Sequence, residues 1–307
     1  MSKFDIYVGD GKPRADVAHE LSERPEVRSQ GRYLASTELA EAVNISLAVG
    51  QPLLVTGEPG CGKTTLAWSV AHELNLGEPL VFFTRSSSRA QDLLYRYDAV
   101  MRFHDIQVHE PRARRAQEYV RWEALGEAIR SQTRRVVLID EIDKAPRDFP
   151  NDLLNELDKM EFTVPELTQD KAPDGAAAQS AFKATARPIV IITSNTERQL
   201  PLPFLRRCVF HHIEFPEERL QAIATERLGE LRVPPDLLAS ATDKFIAVRK
   251  VPGLVKKPAT GEFLAWVQAL ALKSVTGRAL AAVQLSALPC WQVLIKDFDD
   301  WTRLRES

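Results

Sequence analysis

Cysteine is scarce: Cys61, Cys208 and Cys290 are the three in 307 residues, odd in number, far apart and without a C-x-x-C pair. Neither a disulfide framework nor a zinc ribbon fits, and a reducing cytoplasm is the expected compartment. An excess of charge is missing too, because 40 Lys and Arg face 42 Asp and Glu. A net charge of -2 offers no global field for a polyanion, so nucleic acid would need a local patch. No stretch approaches the roughly 20 apolar residues of a membrane span, and MSKFDIYVGDGKPR lacks a signal-peptide core, so no membrane anchor is expected. His211 and His212 are adjacent, while His19, His72, His104 and His109 share no ligand spacing, which argues against zinc catalysis. No serine or cysteine sits in a nucleophile elbow.

What is present is a folded chain about two domains long, with 44% hydrophobic and 27% charged residues. Residues 1–31 are turn-rich, interrupted by Gly9, Gly11, Pro13 and Pro25, and read as an arm. Ser36 to Val49 carries Leu39, Val43 and Leu47 at helical spacing. Four apolar runs follow, Pro52–Thr56, Pro79–Thr84, Arg135–Asp140 and Pro188–Ser194, separated by helical or polar segments. This alternation predicts an α/β fold with a parallel sheet sandwiched by helices over 32–216. Beyond Pro216 the patterns are helical, which predicts a small all-α domain over 217–307. Leu93–Arg121 and Leu167–Arg187 fit no simple element and read as excursions from the sheet.

The strongest motif is Gly57-Glu58-Pro59-Gly60-Cys61-Gly62-Lys63-Thr64, a complete G-x-x-x-x-G-K-T between a predicted strand and a predicted helix, with Thr65 following. Such a loop turns backbone N–H groups towards phosphate oxygens. Lys63 is placed to reach the β- and γ-phosphates, and the Thr64 hydroxyl to ligate Mg²⁺. VVLIDEID ends an apolar strand with Asp140, a second candidate Mg²⁺ ligand, and Glu141, a candidate to activate water. Asn195 ends the fourth strand, where it is a candidate to position water. Arg206 and Arg207 follow in LPLPFLRRC and are candidates for an arginine finger offered to a neighbouring subunit.

The order GEPGCGKT, VVLIDEID, TSN, LPLPFLRRC and then helices resembles an AAA+ ATPase, and its details resemble the MoxR branch. The LPxxFLRRxxF stretch, the excursion after the second strand and the hairpin-like Glu161–Leu167 carry the finer resemblance. It implies a P-loop AAA+ core followed by a helical lid that closes on ATP, and a hexameric or similar ring with ATP and Mg²⁺ between subunits. It also implies Asn195 as sensor 1, Arg207 as the preferred finger and a chaperone-like role beside a von Willebrand factor A-domain protein. The family's sensor-2 arginine is missing: the place reads Lys256-Lys257-Pro258-Ala259-Thr260, with Lys257 the preferred substitute and Arg278 a second candidate.

Other readings stay open. No N-K-x-D-type sequence is present, which favours ATP, although McrB-like GTPases do not use that motif. Arg112, Arg114, Arg115 and Arg121, with Tyr119 and Trp122, form a basic cluster that either touches nucleic acid or pairs with Glu110, Glu118 and Glu123. Tyr95, Tyr97 and Phe103 either grip a partner polypeptide or pack, and Trp266 reads as core. A nucleotide-gated switch and a DNA-directed motor are the alternatives to a remodelling ATPase.

Overall fold

Strands β1 (Leu53–Gly57), β5 (Val136–Asp140) and β8 (Ile189–Ser194) are buried along their whole length, as apolar runs covered on both faces must be. The computed structural model describes residues 33–168, 179–195 and 199–306, so the arm expected over 1–31 and the middle of the second excursion lie outside the described residues. In chain order the sheet-bearing unit contains α1 (Thr37–Val49), β1, α2 (Lys63–Glu73), β2 (Leu80–Phe83), β3 (Tyr95–Tyr97), α3 (Ala99–Gln107), β4 (Val120–Trp122), α4 (Ala124–Arg130) and β5. It continues with α5 (Phe149–Asp152), α6 (Leu154–Lys159), β6 (Glu161–Thr163), β7 (Ala181–Lys183), β8, α7 (Leu202–Leu205) and β9 (Val209–Ile213). By contacts this unit is Ala35–Gly57 with Lys63–Ile213.

Five strands form the expected parallel sheet, in the order β2-β5-β8-β1-β9, flanked by helices. Thr56 is in register with Ser194, and Ile139 with Ile192. The carboxyl ends of β1, β5 and β8 therefore lie side by side, where ligands of open α/β sheets bind. The four apolar runs all become strands; β9 is the addition. It is an edge strand whose residues are only partly buried or exposed, so VFHHI shows no continuous apolar run. His212 Nδ1 and the Thr56 hydroxyl lie 2.9 Å apart across β9 and β1.

Both excursions leave the main sheet. β3 pairs antiparallel with β4, Tyr95 opposite Trp122, and β6 with β7, Phe162 opposite Phe182. The second hairpin is wider than Glu161–Leu167: its arms are 161–163 and 181–183, and Leu167 ends a 3₁₀ turn. Phe162 and Phe182 stack, and Trp122 meets both edge-on, with centroids 5.1 to 6.2 Å apart, tying the two hairpins together. Helix α3 is built inside out. Asp105, 2% exposed, points inward and accepts from the Tyr119 hydroxyl and Arg112 at 2.6 Å each. Val100 (81% exposed), Met101, Phe103 (64%) and Ile106, with Val108 just beyond, face outward.

The second unit comprises, among the described residues, those from Glu214 on, Tyr33 and Leu34, and the loop residues Glu58–Gly62. Its helices are α8 (Leu220–Arg227), α9 (Pro235–Arg249), α10 (Thr260–Leu272), α11 (Gly277–Ala282) and α12 (Phe298–Glu306). They bury a core that includes Phe245, Phe263, Trp266, Leu270 and Leu304. Trp266 is fully buried and donates its ring N–H to the Pro289 carbonyl at 2.8 Å, as a core tryptophan needs a partner for that donor.

Candidate active site

The loop after β1 turns through glycines that a side chain would strain. Gly60 and Gly62 have φ of 78° and 96°, in the left-handed region, and a Cβ on Gly62 would lie 3.0 Å from the Tyr33 ring. At the loop's end Lys63 opens α2, is buried, and donates Nζ to the Gly57 carbonyl at 2.8 Å.

The acidic strand end meets the first turn of α2 and the end of β8 through hydroxyls. Thr64 Oγ1 donates to Asp140 Oδ1 at 2.9 Å, and Thr193 Oγ1 donates to the same oxygen at 2.7 Å. The Glu141 N–H donates to Thr193 Oγ1 at 2.8 Å while Glu141 itself is left-handed, at φ 55° and ψ 53°. That conformation costs about 1–2 kcal/mol in a residue with a Cβ, and the Thr193 bond helps hold it. Asn195 Nδ2 donates to Glu141 Oε1 at 2.9 Å, and Lys144 Nζ donates to Oε2. Asp143, nearly fully buried, accepts the Asn195 N–H on both oxygens at 3.2 Å and so anchors the Asn195 backbone. Burial pulls the Glu141 carboxyl upward, but the Lys144 and Asn195 hydrogen bonds and then the Lys144 and Lys63 charges outweigh it. Its pKa ends below the ordinary value.

The hydroxyl and carboxylate oxygens of Thr64 and Asp140 are the hard donors that Mg²⁺ takes. Thr84, whose N–H donates to the Asp140 carbonyl at 3.2 Å, keeps a buried hydroxyl without a partner among the described residues. The site fits a magnesium nucleotide.

A profile of the AAA domain, dynein-related subfamily, matches residues 52–208, half of the chain, from β1 to the end of LPLPFLRRC. The chain belongs to the AAA domain family. No curated protein matches this sequence closely enough to count. The AAA+ core is thus a nucleotide-binding ATPase domain, and its sheet with the helices that follow is the expected α/β core plus helical part.

Other residues singled out in the sequence of this AAA protein fall elsewhere. Arg207 donates Nε to Asp158 at 2.6 Å and Nη1 to the Pro203 carbonyl at 3.1 Å, whereas Arg206 is exposed at the end of α7. Lys257 and Arg278 are exposed and pair with no carboxylate among the described residues. The loop instead meets Arg249, which sequence reasoning missed. Its Nη2 donates to Glu58 Oε2 at 2.8 Å, its Nη1 donates to the Pro258 carbonyl, and its guanidinium lies 3.5 Å from the Phe215 ring centre. An arginine in the last turn of a helix is usually read as a solvated end, and that side chain is only 10% exposed.

In the first excursion Arg112 pairs with Asp105 and Arg115 with Glu118, while Arg96 takes Glu123. Arg114 and Arg121 are exposed. Tyr95 and Tyr119 are buried, and Trp122 is covered by Arg130, whose guanidinium lies 3.9 Å from the ring centre. Of the aromatics considered for gripping a partner, Phe103 is the exposed one. Among the described residues no helix is long and apolar enough to cross a membrane.

Proposed function

We propose that this AAA+ protein is a Mg²⁺-dependent ATP hydrolase of the MoxR-like branch that works as a ring and remodels a partner protein. The observation that carries the hydrolytic part is the chain of contacts Thr64–Asp140–Thr193–Glu141–Asn195, which links a metal-binding oxygen pair to a carboxylate at one end of the sheet. In this reading Lys63 leaves the Gly57 carbonyl for the β- and γ-phosphates, and Thr64 and Asp140 hold Mg²⁺. The metal supplies positive charge against the phosphate oxygens. Glu141 accepts a proton from the attacking water, Asn195 keeps its carboxylate aimed, and Arg207 leaves Asp158 to complete a neighbour's site, with Arg206 beside it. Loop residues Gly57 to Thr65 line the nucleotide, with Lys257 as the sensor-2 substitute and Arg249 a further basic residue at Glu58 of the loop.

The MoxR-like assignment is supported by the LPLPFLRRC stretch, by the β3–α3–β4 excursion and by the β6–β7 hairpin before β8. The outward apolar side chains of α3 speak for a protein partner, because contiguous exposed apolar surface marks interaction sites. A von Willebrand factor A-domain partner rests on the resemblance alone. A DNA motor is less well supported, since Tyr119 and Trp122 are packed and not offered for stacking.

The test is ATP binding and turnover of the wild type, Glu141→Gln and Lys63→Ala. Glu141→Gln is expected to bind ATP and lose turnover, and Lys63→Ala to lose binding. The hydrolytic assignment is falsified if Glu141→Gln turns over at the wild-type rate.

A further inference from the structure

Glu141 is engaged at both carboxylate oxygens, and the two donors differ in kind. Asn195 gives Oε1 a neutral amide hydrogen bond at 2.9 Å. Lys144, at the end of the single 3₁₀ turn Ile142–Lys144, gives Oε2 an ammonium. An amide orients a carboxylate. An ammonium does more, because an oxygen holding a charge-assisted hydrogen bond is a poorer acceptor for a water proton.

The backbone cannot relieve this contact. The Glu141 N–H is tied to Thr193 Oγ1 at 2.8 Å and its carbonyl accepts the Lys144 N–H at 2.9 Å. Left-handed φ and ψ at Glu141 are held by these bonds on either side. Both side-chain ends are partly exposed, so they separate by side-chain rotation alone.

We propose that Lys144 is a positioning residue that holds Glu141 in a resting arrangement, so that its ammonium must leave Oε2 before Glu141 activates water. The inference rests on Glu141 serving as the base for hydrolysis and adds a brake on that residue. The brake acts on turnover and leaves the nucleotide-binding residues Lys63 and Thr64 untouched.

The experiment is steady-state ATPase and equilibrium ATP binding on the full chain, for the wild type, Lys144→Met, Lys144→Arg and Glu141→Gln. Lys144→Met keeps the aliphatic stem and removes the charge. It is expected to raise kcat about threefold or more with KM within about twofold, whereas Lys144→Arg, which keeps the ion pair, stays near the wild-type rate. An unchanged or lower kcat in Lys144→Met overturns the brake, as does a rise of equal size in Lys144→Arg. Full turnover in Glu141→Gln sinks the hydrolytic assignment itself. An inactive Glu141→Gln together with a wild-type rate in Lys144→Met sinks only the brake.

Discussion

Thr193 and Asp140 share a 2.7 Å hydrogen bond from hydroxyl to carboxylate, and the same hydroxyl receives the Glu141 N–H. One side chain therefore fixes a candidate metal ligand and the backbone of the candidate base. Thr193→Val keeps the shape and removes both bonds, leaving the part-buried Glu141 N–H without this acceptor and Asp140 Oδ1 with Thr64 as its remaining donor, at a cost of about 1–2 kcal/mol. Turnover is expected to fall at least about tenfold, and Thr193→Ser to retain most of it. A Val variant at the wild-type rate would show that Thr193 only fills space.

Arg249 and Glu58 are expected to act as one unit on nucleotide affinity. Arg249→Ala and Glu58→Gln should each weaken ATP binding several-fold, and the double variant should be no worse than Arg249→Ala. A coupling of about 1 kcal/mol in the double-mutant cycle, measured by fluorescent-nucleotide titration, supports the link. Simple additivity argues against it.

Arg207 is held by Asp158 of its own chain, so its service to a neighbour is testable by mixing. Arg207→Ala and Lys63→Ala should each be nearly inactive. A mixture should regain activity, because the Lys63 variant offers an intact Arg207 to the intact nucleotide loop of the other. Failure of every mixing ratio, with assembly verified by light scattering, would remove Arg207 from the shared site.

Asp105 makes the first excursion acid-sensitive. The Tyr119 hydroxyl, Arg112 and His104 hold its carboxyl at about 2, against the penalty of burial. Its folded pKa is depressed, so its contribution to stability is complete above the unfolded value near 3.8 and is lost as the pH falls towards about 2. Asp105→Asn should lower the melting temperature at neutral pH, and the gap to the wild type should close between about pH 4 and 2. A gap that persists unchanged at pH 2, followed by circular dichroism, would assign the loss to packing instead.

Much of this site was legible because its chemistry is local in sequence. The spacing from Gly57 to Thr64 and the adjacency of Asp140 and Glu141 are set by one loop and one strand end, and each apolar run carries its own strand signal. Contacts between distant positions left no such mark. Nothing in VFHHI shows that it pairs with β1, because an edge strand need not be continuously apolar. Arg249 lies 191 residues from Glu58, and its helix-end setting looks solvated until Phe215 and Pro258 are placed around it. Helix α3 misleads for the opposite reason: apolar spacing normally marks the buried face, and here Asp105 takes that face with Tyr119 and Arg112 as partners. Glu161 was readable as the start of a hairpin, but its partner Lys183 lies past a long polar stretch that hides the return strand.

Strand β1 is hydrogen-bonded on both flanks, to β8 along Leu53–Thr56 and to β9 along Leu53–Gly57. In mechanical terms it is a clamped beam. The strand cannot slide along its axis without breaking two ladders at once. For the remodelling ATPase proposed above, such a strand is a fixed mount, and β9, the least conspicuous strand in the sequence, supplies half of it.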